Sequence, residues 1–234
     1  MTVVLAIRCD DGLVMGSDSQ ITESDRGMSY PARKLHTLGE NAAWGGSGAR
    51  SVLYDLEVQF EAECDEIVGS RDVAHALQER VVPALKRHYE LFIPDVPGES
   101  VEGTPSAYVL AAGYSHGDPF IVKVDPTGLV GRYEEVGFHA IGSGAPMAQQ
   151  AGALLGHFQM LERDVDYGVI AVVRVLDALA VSQPMVGGPL NIARITPEGA
   201  HHLSDDEIDE VRGQVRRWEE ADQATLDGLF DGDP

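Results

Sequence analysis

The chain of 234 residues is 44% hydrophobic and carries 38 acidic against 17 basic residues, a formal net charge of −21. That length and apolar content suit one domain with a sizeable core, while the acidity argues against nucleic acid and anionic membrane surfaces as partners. The sequence shows no run of about 18 apolar residues and no charged-then-apolar leader, which predicts a cytoplasmic protein with no membrane association.

In chain order, Met1-Thr2-Val3-Val4-Leu5-Ala6-Ile7 reads as a strand, followed by a turn at Asp11-Gly12 and a second apolar run, Leu13-Val14-Met15. Gly tolerates the positive φ that tight turns need, so the pair is a hairpin signal that sends the chain back toward its own start. Thr22 to Pro31 is polar and reads as a loop around Asp25-Arg26-Gly27. Strand-like Lys34–Leu38 and Ala42–Gly45 are divided by Gly39-Glu40-Asn41. After Gly48 the period changes: Val52, Leu53, Leu56, Val58, Phe60 and Cys64 fall near helical spacing, predicting an amphipathic helix to about Val68. Arg71 to Phe92 gives a second helix, with Val73, Leu77, Val81, Leu85 and Tyr89 as a core stripe.

Ile93 to Pro105, with three prolines and three acidic residues, reads as a loop. Four strand candidates follow, Ala107–Tyr114, Phe120–Val124, Leu129–Tyr133 and Gly137–Ile141. Ala145 to about Leu161 is rich in helix formers, with Ala148, Ala151, Leu154, Leu155 and Phe158 as its apolar face. Val165 to Ala180 is apolar nearly all round, as a helix buried between layers would be. Strands Leu190–Ile195 and His201–Leu203 close residues 1–203, and periodicity alone assigns the α+β class. In the tail, 204–234, Ser204-Asp205-Asp206-Glu207 is a capping box, and Ile208, Val211, Val215 and Trp218 form a stripe that docks on the same domain. The tail carries 11 acidic and 3 basic residues, and its acidic face could also serve an assembly contact.

Three residues carry chemistry. An α-amine titrates at about 7.7–8.0, so the amine of Thr2, freed by loss of Met1, could take the proton of its own hydroxyl. The hairpin brings Asp18 back toward Thr2, although sliding the turn by one residue would move Asp18 to the other face. A Lys34 buried beside Asp18 would hold positive potential against the hydroxyl and the amine and favour the deprotonated nucleophile. Taken alone, Met1-Thr2 is a common chain start, and Asp18 and Lys34 read as simple surface charges. Cys9 and Cys64 are too few for a disulfide framework and are expected to be buried thiols. The eight histidines show no ligand spacing, and there is no phosphate-binding glycine loop, so neither a catalytic metal nor any other cofactor is expected.

The ordered set Thr2, Asp18, Lys34 and Trp44-Gly45-Gly46-Ser47-Gly48-Ala49 ahead of a long helix resembles the β-type subunits of proteasomes and the bacterial HslV peptidase, which are N-terminal nucleophile hydrolases. Phe138-His139-Ala140-Ile141-Gly142-Ser143-Gly144 resembles a turn and helix start of the same peptidase. The resemblance spans roughly residues 2–200 and implies a four-layer αββα sandwich. It implies Thr2 as nucleophile with its amine as base, Asp18 and Lys34 as the activating pair, the Gly46 N–H as oxyanion donor, and Ser143 as a hydrogen-bond partner of the amine. It further implies a threonine-type endopeptidase built of identical subunits in a ring, cleaving unfolded polypeptides, with a possible ATP-dependent unfoldase as partner and maturation by loss of Met1 alone. One departure stands out: where archaeal and eukaryotic proteasome subunits carry an Asp and a Ser before a late Gly-Gly pair, this chain has Gln183 and Val186 before Gly187-Gly188. This departure and the acidic tail make a non-catalytic ring component one alternative; a small-molecule amidase, with the same chemistry on another substrate, is the other.

Overall fold

Strands β1 (Val4–Arg8) and β2 (Leu13–Ser17) pair antiparallel around the Asp11-Gly12 turn, Val4 opposite Ser17 and Arg8 opposite Leu13, in a computed structural model. The structure describes residues 2–23, 28–94, 103–157, 159 and 162–230. Two further strands flank this hairpin, β10 (Phe138–Ile141) beside β1 and β11 (Asn191–Thr196) beside β2, with β12 (Gly199–His202) at the edge. A second antiparallel sheet runs in the order β5 (Leu35–Thr37), β6 (Ala42–Gly48), β7 (Ala107–Ser115), β8 (Asp118–Val124) and β9 (Val130–Arg132).

The alternation of side chains along each strand creates the layers. In the first sheet Val3, Leu5, Ile7 and Val14 pack toward helices α3 (Ala145–His157) and α4 (Val165–Ser182), whereas Val4, Ala6, Leu13 and Met15 face the second sheet. In the second sheet Leu110, Ala112 and Ile121 face inward, and Trp44, Val109, Val122 and Val124 pack against α1 (Arg50–Val68) and α2 (Val73–Leu91). Three apolar clusters thus separate four layers in the order αββα. Aspartates cap two of the helices: Asp72 accepts from the His75 amide at 3.0 Å and Asp164 from the Tyr167 amide at 3.3 Å.

The last helix, α5 (Asp205–Phe230), starts in the capping box, with the Ser204 amide donating to Glu207 at 2.8 Å and the Glu207 amide donating to Ser204 Oγ at 3.3 Å. Ile208 and Val215 are buried against α4, and the Arg174 guanidinium lies 3.7 Å from the Trp218 ring centroid. Arg212 joins the two helices through both oxygens of Asp177, at 3.0 and 2.9 Å. No helix among the described residues is long and apolar enough to cross a membrane.

Several expectations are corrected. Within 22–31, the expected loop, the chain forms the hairpin β3 (Gln20–Glu23) and β4 (Met28–Pro31), with residues 24–27 outside the described ones. Its strands are held by polar contacts such as Thr22 Oγ1 to Ser29 Oγ at 3.2 Å, so hydrophobic alternation does not announce it. Tyr89 is 43% exposed although Val73, Leu77, Val81 and Leu85 are buried. Residues four apart drift by about 40° per step around a helix, so the fifth member of the stripe has turned about 160° from the first. Val58 and Leu154 are also exposed, and Cys64 is half-buried rather than buried. Burial and the charges of Asp11 and Asp164 push the Cys9 thiol up to about 12, leaving it protonated and inert. The expected loop at 93–105 falls largely on residues 95–102, and Phe158, Leu161 and 231–234 of the expected helices and tail also lie outside the described residues.

The rotation of α3 is open to test: Leu155 is buried whereas Leu154 is 69% exposed. Leu155→Ala should cost about 2–5 kcal/mol of unfolding free energy and Leu154→Ala less than about 0.5 kcal/mol in urea denaturation of the isolated chain. Equal costs would mean that α3 presents another face.

Candidate active site

Thr2 lies two residues before β1, at the end of the first sheet that also presents Ser17 and Ile141. Its nitrogen, an amide while Met1 precedes it and a primary amine once Met1 is gone, donates to Ser143 Oγ at 3.2 Å. Its carbonyl accepts from the Gly144 amide at 3.2 Å. Gly142 makes this approach possible, because at φ +91° a side chain is strained and its Cβ would run into the Thr2 carbonyl oxygen.

Asp18 is the first residue past β2 and is completely buried. The hairpin register places it on the side of Thr2, and five hydrogen bonds converge on its carboxylate. Oδ1 accepts from the Val3 amide at 3.0 Å and Lys34 Nζ at 2.9 Å. Oδ2 accepts from Lys34 Nζ at 2.9 Å, the Gln20 amide at 3.2 Å and the Gly187 amide at 3.4 Å. Lys34, 6% exposed, also donates to the Gln20 carbonyl at 2.7 Å. Burial lowers the Lys34 pKa and the Asp18 charge works against that fall, so the ammonium is held in place by its partner.

Thr2, Lys34 and Gly46 line a cleft of about 460 Å³. Strand β6 pairs with β5 only as far as Gly45 but continues against β7 to Gly48, so Gly46 to Gly48 have a strand on one side only. The Cβ that Gly46 lacks would collide with Leu53 of α1, so the absent side chain leaves the Leu53 methyls against the strand. Arg33, His36, Tyr54 and Glu57 extend the cleft. His36 stacks on Trp44 with centroids 4.9 Å apart and meets Glu57 at 3.0 Å; burial lowers its pKa against the pull of Glu57. Ser143 lines a second cavity, about 430 Å³, that adjoins the first at Gly48.

The five residues singled out in the sequence therefore surround one point: Thr2, Lys34 and Gly46 share a cleft, Ser143 touches the Thr2 nitrogen, and Asp18 lies beneath. Sequence reasoning missed the supporting contacts of Gln20, Gly144 and Asn191, whose Oδ1 accepts from the Lys34 amide at 3.2 Å. Gly187 carries the one signal that could have found it, the Gly187-Gly188 pair, and its carbonyl also accepts from the Ser19 and Gln20 amides at 3.1 and 2.9 Å. Among the described residues no group of three or more His, Cys, Asp or Glu is placed to hold a metal ion. Chemically, the site joins a hydroxyl, a potential free amine, a buried cation and an open strand edge with backbone N–H groups.

No protein-family model matches the chain. It is similar to the ATP-dependent protease subunit HslV of Anaeromyxobacter sp. (strain Fw109-5), 33% identical over 169 residues that cover 70% of this chain and 83% of that one. It is also similar to a proteasome subunit beta of Archaeoglobus profundus, 25% identical over 217 residues that cover 92% and 94% of the two chains. Among solved structures it is similar to Anbu (ancestral beta-subunit) from Yersinia bercovieri, with TM-score 0.73, 16% identity and coverage of 99% and 98%. The Anbu complex of Pseudomonas aeruginosa, solved as a helical assembly, gives TM-score 0.74 at 16% identity and the same coverage. At that identity the structural likeness speaks for the fold alone.

Lys34→Met strands the Asp18 carboxylate in the interior and should destabilise the chain by about 3–5 kcal/mol. Adding Asp18→Asn should recover about 1–3 kcal/mol of it in denaturant melts, and simply additive costs would mean the two charges do not depend on each other. Burial and Lys123 push His139 down to about 4. An unfolded histidine titrates near about 6.5, so between these values the unfolded chain binds the extra proton. His139 should contribute about 2 kcal/mol to the fall in stability from pH 7 to pH 5, so the fall should be shallower by that amount in His139→Gln when melts are compared at the two pH values.

Proposed function

The chain belongs to the family of proteasome β-type and HslV peptidase subunits, and on that premise we propose that it is a threonine-type endopeptidase subunit with Thr2 as nucleophile. The observation that carries the reading is the contact of the Thr2 nitrogen with Ser143 Oγ at 3.2 Å, one residue from the Val3 amide that donates to the buried Asp18–Lys34 pair. Once the residue before Thr2 is removed, this nitrogen is an amine next to its own hydroxyl. The amine takes the hydroxyl proton as Oγ attacks the substrate carbonyl, aided by the positive potential of Lys34. The oxyanion is held by backbone N–H at Gly46 on the open edge of β6. Collapse of the tetrahedral intermediate breaks the C–N bond, the Thr2 ammonium returns its proton to the departing amine, and an ester remains on Oγ. Water, activated by the same amine, then hydrolyses the ester.

The relative named as a subunit of an ATP-dependent protease supports a subunit that assembles with identical copies into a ring and receives unfolded polypeptide from an ATP-dependent unfoldase. A second reading, a ring component without catalysis, draws on Gln183 and Val186. Val186 is buried, and the Gln183 amide is turned to the Met147 sulfur at 2.8 Å, so neither offers a polar group to Thr2.

Intact mass should show the chain without Met1, and a peptide epoxyketone, whose ring closure needs both the hydroxyl and the amine of an N-terminal Thr, should label it once. Thr2→Ala should abolish labelling and lower kcat/KM for peptide cleavage at least about 10³-fold. A chain that keeps Met1, takes no label after artificial exposure of Thr2 and hydrolyses no peptide would transfer the assignment to the non-catalytic ring component.

A further inference from the structure

Two cavities meet at Gly48: Thr2, Lys34 and Gly46 line the first, whereas Gly142 and Ser143, the partner of the Thr2 nitrogen, line the second. Resting on the reading above, the chemistry assigns each a side of the scissile bond. The departing amine must receive its proton from the Thr2 ammonium, and that nitrogen is held at 3.2 Å by Ser143. The leaving nitrogen therefore sits on the Ser143 side, and whatever follows it along the substrate enters the second cavity, while the acylating part occupies the first.

The second cavity differs from the rest of the molecule in charge. The chain has 38 acidic residues, yet no carboxylate lines this space of about 430 Å³. It is walled by hydroxyls and an amide from Ser47, Ser106, Tyr108 and Gln149, and by Lys123. Lys123 is half-buried on β8, and no carboxylate pairs with it among the described residues. Its ammonium lies 5.9 Å from the Tyr133 ring centroid, and Tyr133 in turn stacks on His139 with centroids 3.6 Å apart, a shelf that holds the cation in place. His139 lines the same cavity and, 8% exposed and pushed down to about 4, is neutral at physiological pH. Nearby in sequence, Asp125 Oδ1 is engaged by the Thr127 amide and hydroxyl at 2.9 and 2.6 Å and by the Leu129 amide at 3.1 Å. Asp125 feels the Lys123 charge without forming an ion pair with it, and a cation with no carboxylate in contact, set among neutral donors and acceptors, is a receptor for an anion.

We propose that this cavity binds the leaving-group side of the substrate and selects a carboxylate there, an Asp or Glu side chain directly after the cleaved bond or the terminal carboxylate of a short product, with Lys123 as the specificity-determining residue. The net charge of −21 repels acidic peptides from the molecule as a whole, but that repulsion is screened within about 8 Å at physiological salt, whereas a contact inside the cavity is not. The preference is thus a local one and should survive ionic strength of about 0.15 M.

The test uses internally quenched peptides of one acyl sequence with Asp, Ala or Lys directly after the cut, beside an arylamide of the same acyl sequence. With the mature protein, kcat/KM should be about 5- to 10-fold higher for Asp than for Lys. In Lys123→Met, which keeps the length of the side chain and loses its charge, the Asp-to-Lys ratio should fall to near one, and in Lys123→Glu it should invert. A ratio near one in the unaltered protein, or an Asp preference that persists in Lys123→Met, overturns the assignment. Arylamide hydrolysis separates the two levels: cleavage of it without an Asp preference rejects the carboxylate site and leaves the peptidase reading standing, whereas no cleavage of any substrate and no label on Thr2 reject both.

Discussion

A carboxylate with no access to water is tolerated only when its charge is matched and its lone pairs are filled, and Asp18 meets both conditions at once. The cation comes from Lys34, 16 residues on, and the backbone donors come from Val3, Gln20 and Gly187. Those partners come from the residue just before β1, from β3, from the segment between β4 and β5 and from a loop 169 residues away. Each is fixed by the same buried charge, and together they clamp Val3, the neighbour of Thr2. The geometry of Thr2 is therefore set less by Thr2 itself than by the need to satisfy Asp18.

Around that clamp the layers supply rigidity. Residues of β1 alternate between two apolar clusters, with Leu5 and Ile7 under the α3–α4 pair and Val4 and Ala6 against the other sheet. A strand buried on both faces cannot slip by one position without exchanging its entire set of contacts, so the register that carries Asp18 to Thr2 is enforced from above and below. The second sheet adds the opening. Because β5 stops opposite Gly45, the last residues of β6 reach past their neighbour and leave an edge where an extended chain could add itself.

Charge is distributed to match. The surface is strongly acidic, α5 above all, whereas the side chains lining the cleft and its neighbour include Arg33, Lys34, Arg50 and Lys123 against the one carboxylate of Glu57. Arg33 and Arg50 are exposed, but Lys34 is buried and Lys123 half-buried, so the charges of these two are screened less than those of the acidic exterior.

Much of this was legible in the residues. The hairpin at Asp11-Gly12, the helical periods from Val52 and Val73, the nearly apolar run of α4 and the capping box at Ser204 are local signals, because turn chemistry and the periods of 2 and 3.6 act over a few residues. The resemblance of the ordered set Thr2, Asp18, Lys34 and Gly46 pointed to the family and to its four layers. What stayed hidden depends on contacts between distant segments. The β3–β4 hairpin is polar and carries no alternation; Tyr89 and Leu154 face outward because a helix's rotation against its sheet is decided by packing; and the nearness of Ser143 to the Thr2 nitrogen spans 141 residues. Sequence by itself determined which elements form and which residues have the chemistry for a site. Only the tertiary structure decided that a buried charge pair, a glycine turn and an open strand edge meet at Thr2, because only burial turns Asp18 and Lys34 from ordinary surface charges into an interaction the fold must satisfy.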